Sequence, residues 1–152
     1  MKILVISDSH GNLANLKHVM GFAKNIKAEV VIHCGDWNTL ESVETVLPFG
    51  IPLYAVVGNA DIADNIKNKF PDLLKFKIGK KKIGVTHIFN KHINELKDLD
   101  IIFVGHYHNQ SERKYRSSNG GFYRVVNPGA LESRINFAIY DTVTGKIEFF
   151  CD

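Results

Sequence analysis

The stretch KILVISDSHGN, residues 2–12, decides the fold. Lys2 to Ser7 is a short apolar run closed by Asp8, Ser9 and His10, the signature of a buried strand. Leu13, Leu16, Val19, Ala23 and Ile26 then recur at three- and four-residue spacing, which predicts an amphipathic helix with Asn12 as its cap. Glu29 to Cys34 is the next strand and Leu53 to Val57 the third. Strand, helix, strand, helix, strand is the pattern of right-handed crossovers in a mostly parallel sheet.

Beyond Pro71 the chain changes character. Leu73–Ile78 and Lys82–Thr86 flank a Gly-Lys turn and read as a hairpin, with Lys80, Lys81 and Lys82 at its solvated tip. A short helical stretch carries Ile93, Leu96 and Leu99, and a strand at Ile101–Val104 leads to Gly105. Strands follow at Lys114–Arg116, Phe122–Val126, Asn136–Tyr140 and Lys146–Phe150, the last two joined by a turn at Thr142–Gly145. Two packed sheets with helices outside account for so strand-rich a second half.

At 152 residues the chain suits a single domain spanning 1–152. Its net charge of +3 fits an anionic substrate, but no basic face or groove-reading element points to nucleic acid. No apolar run is long enough to cross a bilayer, and the N-terminal run is too soon interrupted by charge for a signal peptide. Cys34 and Cys151 form no C-x-x-C pair, so a reducing, cytoplasmic setting is expected. Cys34 reads as a small buried strand residue. Phe149 and Phe150 either mark a homodimer interface or complete the sheet.

The polar residues fall in a telling place. Asp8 and His10 follow the first strand, Asp36 the second, Asn59 the third; His87 ends the hairpin, and His106 and His108 follow the strand at Ile101–Val104. In open α/β sheets the carboxyl ends of strands share one edge, where ligands bind. Any one of these residues alone would be an ordinary cap, turn residue or structural histidine. Together, two aspartates, an asparagine and four histidines at successive strand ends make a metal site. Two cations roughly 3.5–4 Å apart need a shared anionic bridge, which a carboxylate such as Asp36 supplies. Trp37 and Asn38, next along the chain, either line a substrate pocket or pack. Asn12 either faces the site or only caps the helix, the cap being the reading taken, and His18, His33 and His92 are given no catalytic role.

These residues resemble a known family. Asp8-Ser9-His10-Gly11-Asn12, Gly35-Asp36, Gly58-Asn59-Ala60-Asp61, His87 and Gly105-His106-Tyr107-His108 are similar, in order and spacing, to the motifs of calcineurin-like metallophosphoesterases. Asn127-Pro128-Gly129-Ala130 is similar to a signature of the small prokaryotic phosphodiesterase branch. The resemblance implies an α/β fold, a four-layer α/β/β/α sandwich of two mixed sheets flanked by helices. It also implies a ligand set: Asp8, His10 and His108 for one divalent ion, Asn59, His87 and His106 for a second, and Asp36 bridging them. The ions would be drawn from Mn, Ni, Fe, Co and Zn.

The function implied is hydrolysis of a small phosphate ester, a diester by preference, by a metal-bridging hydroxide. Asp36 and Asn59 are the catalytic positions, Asn59 because it would also touch the phosphoryl group. Phosphomonoester or nucleotide hydrolysis on the same centre is the alternative, and a metal-binding scaffold with weak catalysis is the reading from another class. Two positions depart from the pattern. Ala60 stands where many members have a histidine that assists the leaving group, and His87-Ile88-Phe89 replaces a His-Gly-His segment. Loss of a proton donor costs roughly 10²–10⁴-fold on a poor leaving group.

Overall fold

The N-terminal apolar run becomes strand β1 (Lys2–Ile6), whose last four residues are buried on both faces of a sheet. In this computed structural model, which describes residues 1–152, there follow helix α1 (Leu13–Asn25), strand β2 (Val30–His33), helix α2 (Leu40–Val46) with a 3-10 turn (Leu47–Phe49), and strand β3 (Leu53–Ala55). Asn12 caps α1: its side chain accepts the Asn15 N–H at 3.0 Å, while its amide donates to the Glu132 carbonyl at 2.7 Å. Leu16, Val19, Met20 and Ala23 are the buried stripe of α1. β1, β2 and β3 pair in parallel, as the crossover pattern predicts. The third strand is shorter than its sequence suggests. Val56 still donates to the His33 carbonyl, but the Val57 N–H turns to Pro71 and leaves the ladder.

The hairpin is β4 (Leu73–Ile78) and β5 (Lys81–Thr86), turning at Gly79 and Lys80 with Gly79 at φ +58°. A 3-10 turn (Phe89–Lys91) and a four-residue helix α3 (Ile93–Leu96) lead to β6 (Ile101–Phe103), β7 (Gln110–Arg116) and β8 (Phe122–Pro128). Strands β9 (Phe137–Asp141) and β10 (Ile147–Phe150) then return to the first sheet, β9 pairing antiparallel with β1. The result is two mixed five-stranded sheets, ordered β10-β9-β1-β2-β3 and β4-β5-β6-β8-β7.

Each sheet alternates its apolar residues between two faces. Ile3, Val5 and Ile32 meet Ile83, Val85, Phe103 and Val126 between the sheets. Leu4, Ile6 and Val31 face outward under α1 and α2. On the far side Ile102, Val104, Tyr123 and Val125 are covered by little more than Leu96 and the Phe89 turn. The sandwich is thus α/β/β/α with unequal outer layers, since the second helical layer is a single turn. No helix is long and apolar enough to cross a membrane. Phe149 and Phe150 complete the sheet: Phe150 stacks on Phe137 at 4.7 Å and joins the outer core, while Phe149 packs between the sheets.

Candidate metal centre

Five strand ends converge on one rim. The loops after β1 and β2 run side by side, with Asp8 N–H donating to Gly35, His10 to Asp36 and Gly11 to Trp37. To do so the backbone enters the left-handed region at Asp8 (φ 51°), His10 (43°) and Asp36 (60°), and again at His106 (75°) and His108 (59°). Side chains with a Cβ avoid that region at a cost of about 1–2 kcal/mol each, and such outliers concentrate where function requires them. Two glycines let the loops approach. A Cβ on Gly58 would collide with the Asp36 carboxylate, and one on Gly105 would strike Ser7 Oγ and lie 2.7 Å from Asp8 Oδ2.

Both carboxylates are buried and divided in the same way. Asp8 Oδ2 accepts from Ser7 Oγ and from the His106 N–H at 3.1 Å, leaving Oδ1 facing inward. Asp36 Oδ1 accepts the Ala60 N–H at 2.8 Å, leaving Oδ2 facing inward. Around these inward oxygens stand three imidazoles. His108 Nε2 is 3.1 Å from Asp8 Oδ1; His10 Nε2 is 3.7 Å from it and 3.5 Å from Asp36 Oδ2; His87 Nε2 is 3.9 Å from Asp8 Oδ1 and 3.1 Å from Asp36 Oδ2. Asn59 Oδ1 and His106 Nδ1 meet at 3.1 Å, and the His106 ring lies edge-on to that of His87 with centroids 5.3 Å apart. All seven predicted ligands are therefore brought together.

The arrangement is incomplete as a hydrogen-bonded core. Asp8 Oδ1, His10 Nε2 and His87 Nε2 are buried without a hydrogen-bond partner, and an unpaired buried polar atom costs roughly 1–3 kcal/mol. The His87 Nδ1–H donates to the Cys34 carbonyl at 2.8 Å, which turns a bare Nε2 toward the carboxylates. A backbone carbonyl orienting a histidine this way is the usual support of a metal ligand. Two sets of groups, Asp8 with His10 and His108 and Asp8 with Asp36 and His87, each place their donor atoms within 4.8 Å of one another. The donor set and its orphaned atoms fit divalent cations. Burial is the largest influence and works against charge on both Asp36 and His87. Their contact, together with Ala60 and His10 around Asp36 and with Asp8 and the Cys34 carbonyl around His87, outweighs it: the Asp36 pKa is held below, and that of His87 above, its ordinary value.

Three supporting residues escape a reading confined to ligand types. Asp61 accepts backbone N–H groups from Asp36 (3.0 Å), Gly58 (2.8 Å) and Asn38 (2.7 Å), tying the ends of β2 and β3 together. Burial pushes its pKa up, against the pull of those bonds. The signal was an aspartate three residues after a glycine at a strand end. His33, fully buried, accepts the Gly35 N–H on Nδ1 and therefore carries its proton on Nε2, which meets Ser9 Oγ at 3.1 Å. Its signal was a lone histidine closing an apolar strand. Asn127 donates to the Gly105 carbonyl at 2.9 Å and accepts the Gly129 N–H, so the Asn-Pro-Gly segment braces the loop that carries His106 and His108.

Of the two readings of Trp37, the structure displays the packing one. The side chain is fully buried, stacked on His33 with centroids 3.5 Å apart, and donates from Nε1 to the Val56 carbonyl. The loop that turns the Asp36 carboxylate toward the histidines sends the next side chain into the outer core. Asn38 is half-buried, with its side-chain oxygen unpartnered. Tyr107 points outward, 63% exposed, with its ring 5.0 Å from that of His106.

Comparison with known proteins agrees with this geometry. The sequence model of the calcineurin-like phosphoesterase superfamily domain matches residues 1–145. The probable metallophosphoesterase YsnB of Bacillus subtilis is 33% identical over 146 residues, covering 86% of this chain and 75% of its own. Phosphodiesterase MJ0936 of Methanocaldococcus jannaschii is 27% identical over 143 residues, covering 85% and 83%. A solved archaeal phosphodiesterase superposes over the whole of both chains with a TM-score of 0.85 at 23% identity, a likeness of fold.

Proposed function

The chain belongs to the calcineurin-like phosphoesterase superfamily, whose members are metal-dependent hydrolases of phosphate esters, and from that premise we propose that it is a phosphodiesterase acting through two divalent ions. Asp8, His10 and His108 would hold one ion and Asn59, His87 and His106 the other, with Asp36 between them. The observation that carries this reading is the convergence of Asp8 Oδ1, His10 Nε2 and His87 Nε2, buried and unpartnered, from the ends of two strands in different sheets, β1 and β5. When bound, the pair of ions would supply a water of lowered pKa and neutralise charge on the phosphoryl oxygens.

The protein's own groups prepare that chemistry. Ser7 and the His106 N–H hold Asp8, and the Ala60 N–H holds Asp36, each with one oxygen turned inward. Cys34 fixes the His87 tautomer. Asn59, exposed at the rim, offers its amide N–H to a phosphoryl oxygen. In the net reaction the water oxygen joins phosphorus, the bond to the leaving oxygen breaks, and a proton goes to that oxygen, giving a phosphomonoester and an alcohol. Ala60 has no proton to give, so good leaving groups are favoured. The free thiols Cys34 and Cys151 accord with a cytoplasmic setting.

The test is release of p-nitrophenol by metal-stripped protein reloaded with Mn, Ni, Co, Zn or Mg, from bis-p-nitrophenyl phosphate and from p-nitrophenyl phosphate. Faster turnover of the diester is expected. Faster turnover of the monoester would make the protein a phosphomonoesterase.

A further inference from the structure

The thin second helical layer leaves a groove on the outer face of the β4-β5-β6-β8-β7 sheet. It is a cavity of about 420 Å³, within the range of sites that hold small organic ligands. Phe89, Tyr107 and Tyr115 line it with aromatic faces; Asn90, Asn109 and Arg113 line it with polar groups. Tyr115 is stacked on Tyr123 at 5.5 Å and lies 5.6 Å from Phe89, so this wall is a fixed aromatic cluster. Arg113 is exposed and has no carboxylate within ion-pair distance, whereas its neighbour Glu112 is engaged by Arg124 at 2.7 Å.

The groove adjoins the metal centre. Tyr107, which lines the groove, stands between His106 and His108 in the chain, its ring 5.0 Å from that of His106. Phe89 follows His87 by two residues, and Asn127 lines the groove while donating to the Gly105 carbonyl beside His106. A diester whose phosphorus lies at the metals would extend one arm into it.

We propose that this groove holds the nucleoside arm of the diester substrate, with the base against the aromatic wall, its edge read by Asn90 and Asn109, and Arg113 meeting a further anionic or hydroxyl group. A lipid arm would call for an unbroken apolar lining, and a bare sugar would not need three aromatic faces. A flat ring with hydrogen-bonding edges matches both halves of the lining. Stacking of a base on a protein aromatic is worth about tenfold or more in affinity.

The inference rests on the diesterase reading, and the test separates the two. Thymidine 5′-(p-nitrophenyl phosphate) and methyl p-nitrophenyl phosphate share a leaving group but differ in the arm. The thymidine ester is expected to show a KM at least tenfold lower. Its advantage in kcat/KM over the methyl ester should fall at least tenfold in Tyr107→Ala and in Arg113→Ala, both at exposed positions. Turnover of both esters with equal KM, or with a ratio that neither variant moves, would overturn the groove and leave the diesterase standing. Should neither ester be turned over, titration of thymidine 5′-monophosphate into the Asp36→Asn protein still decides. Saturable binding weakened by Arg113→Ala supports the groove, and no saturable binding overturns it.

Discussion

At His108 an exposed side chain sits on a backbone of φ 59°, its ring 5.3 Å from that of His10. Strain there is a cost of placing Nε2 beside Asp8. In metal-free protein His108→Gly should therefore be more stable than His108→Ala by about 1 kcal/mol in urea denaturation; equal stabilities would remove the claim of strain. His33 makes the opposite kind of contribution. Burial, and then the neighbouring His87, hold its pKa well below the ordinary value, so the folded protein refuses a proton that the unfolded chain accepts. Its stabilisation is present above the unfolded pKa of about 6.5 and lost as pH falls below it. The fall in stability of metal-free protein from pH 7.5 to 5.5 should be smaller in His33→Gln than in the parent, and an equal fall would contradict the assignment. Ala60 adjoins the Asp36 carboxylate through its N–H. Ala60→His should raise turnover of a diester with a poor leaving group by roughly tenfold or more, and no rise in a metal-loaded variant would remove this account of the departure. The seven predicted ligands were legible because each interrupts or ends an apolar run. Asp61 and His33 were harder to read, because they act on backbone N–H groups, and a glycine-spaced aspartate or a histidine closing a strand is a weak sign of such a role.

Among the elements, β1, α1 and β2 could be read almost to the residue, since burial on one face or two leaves an unambiguous period. β3 could not, because its length is set by whether Val57 bonds across the ladder or to Pro71. The return of β9 and β10 to the first sheet was likewise hidden, as partners distant in sequence leave no local trace. What the strands share is the closeness of their ends. Gly58 lies against the Asp36 carboxylate, so Gly58→Ala must push the ends of β2 and β3 apart. A cost of roughly 1–3 kcal/mol is expected, together with loss of metal retention on a desalting column. A variant that folds as well as the parent and keeps its metal would show that this approach is not required.

Over the whole molecule, the two sheets share one core and deliver their strand ends to one rim, so that the first sheet supplies Asp8, His10, Asp36 and Asn59, and the second His87, His106 and His108. The centre is thus an interface between the sheets, with Asp36 contacting histidines from both. The measurement that tests this most directly is diester turnover against equivalents of Mn added to metal-stripped protein, in the parent and in Asp36→Asn. The account predicts that turnover appears as the second equivalent binds and is abolished in Asp36→Asn. Full turnover at one equivalent, or an Asp36→Asn protein as active as the parent, would contradict it.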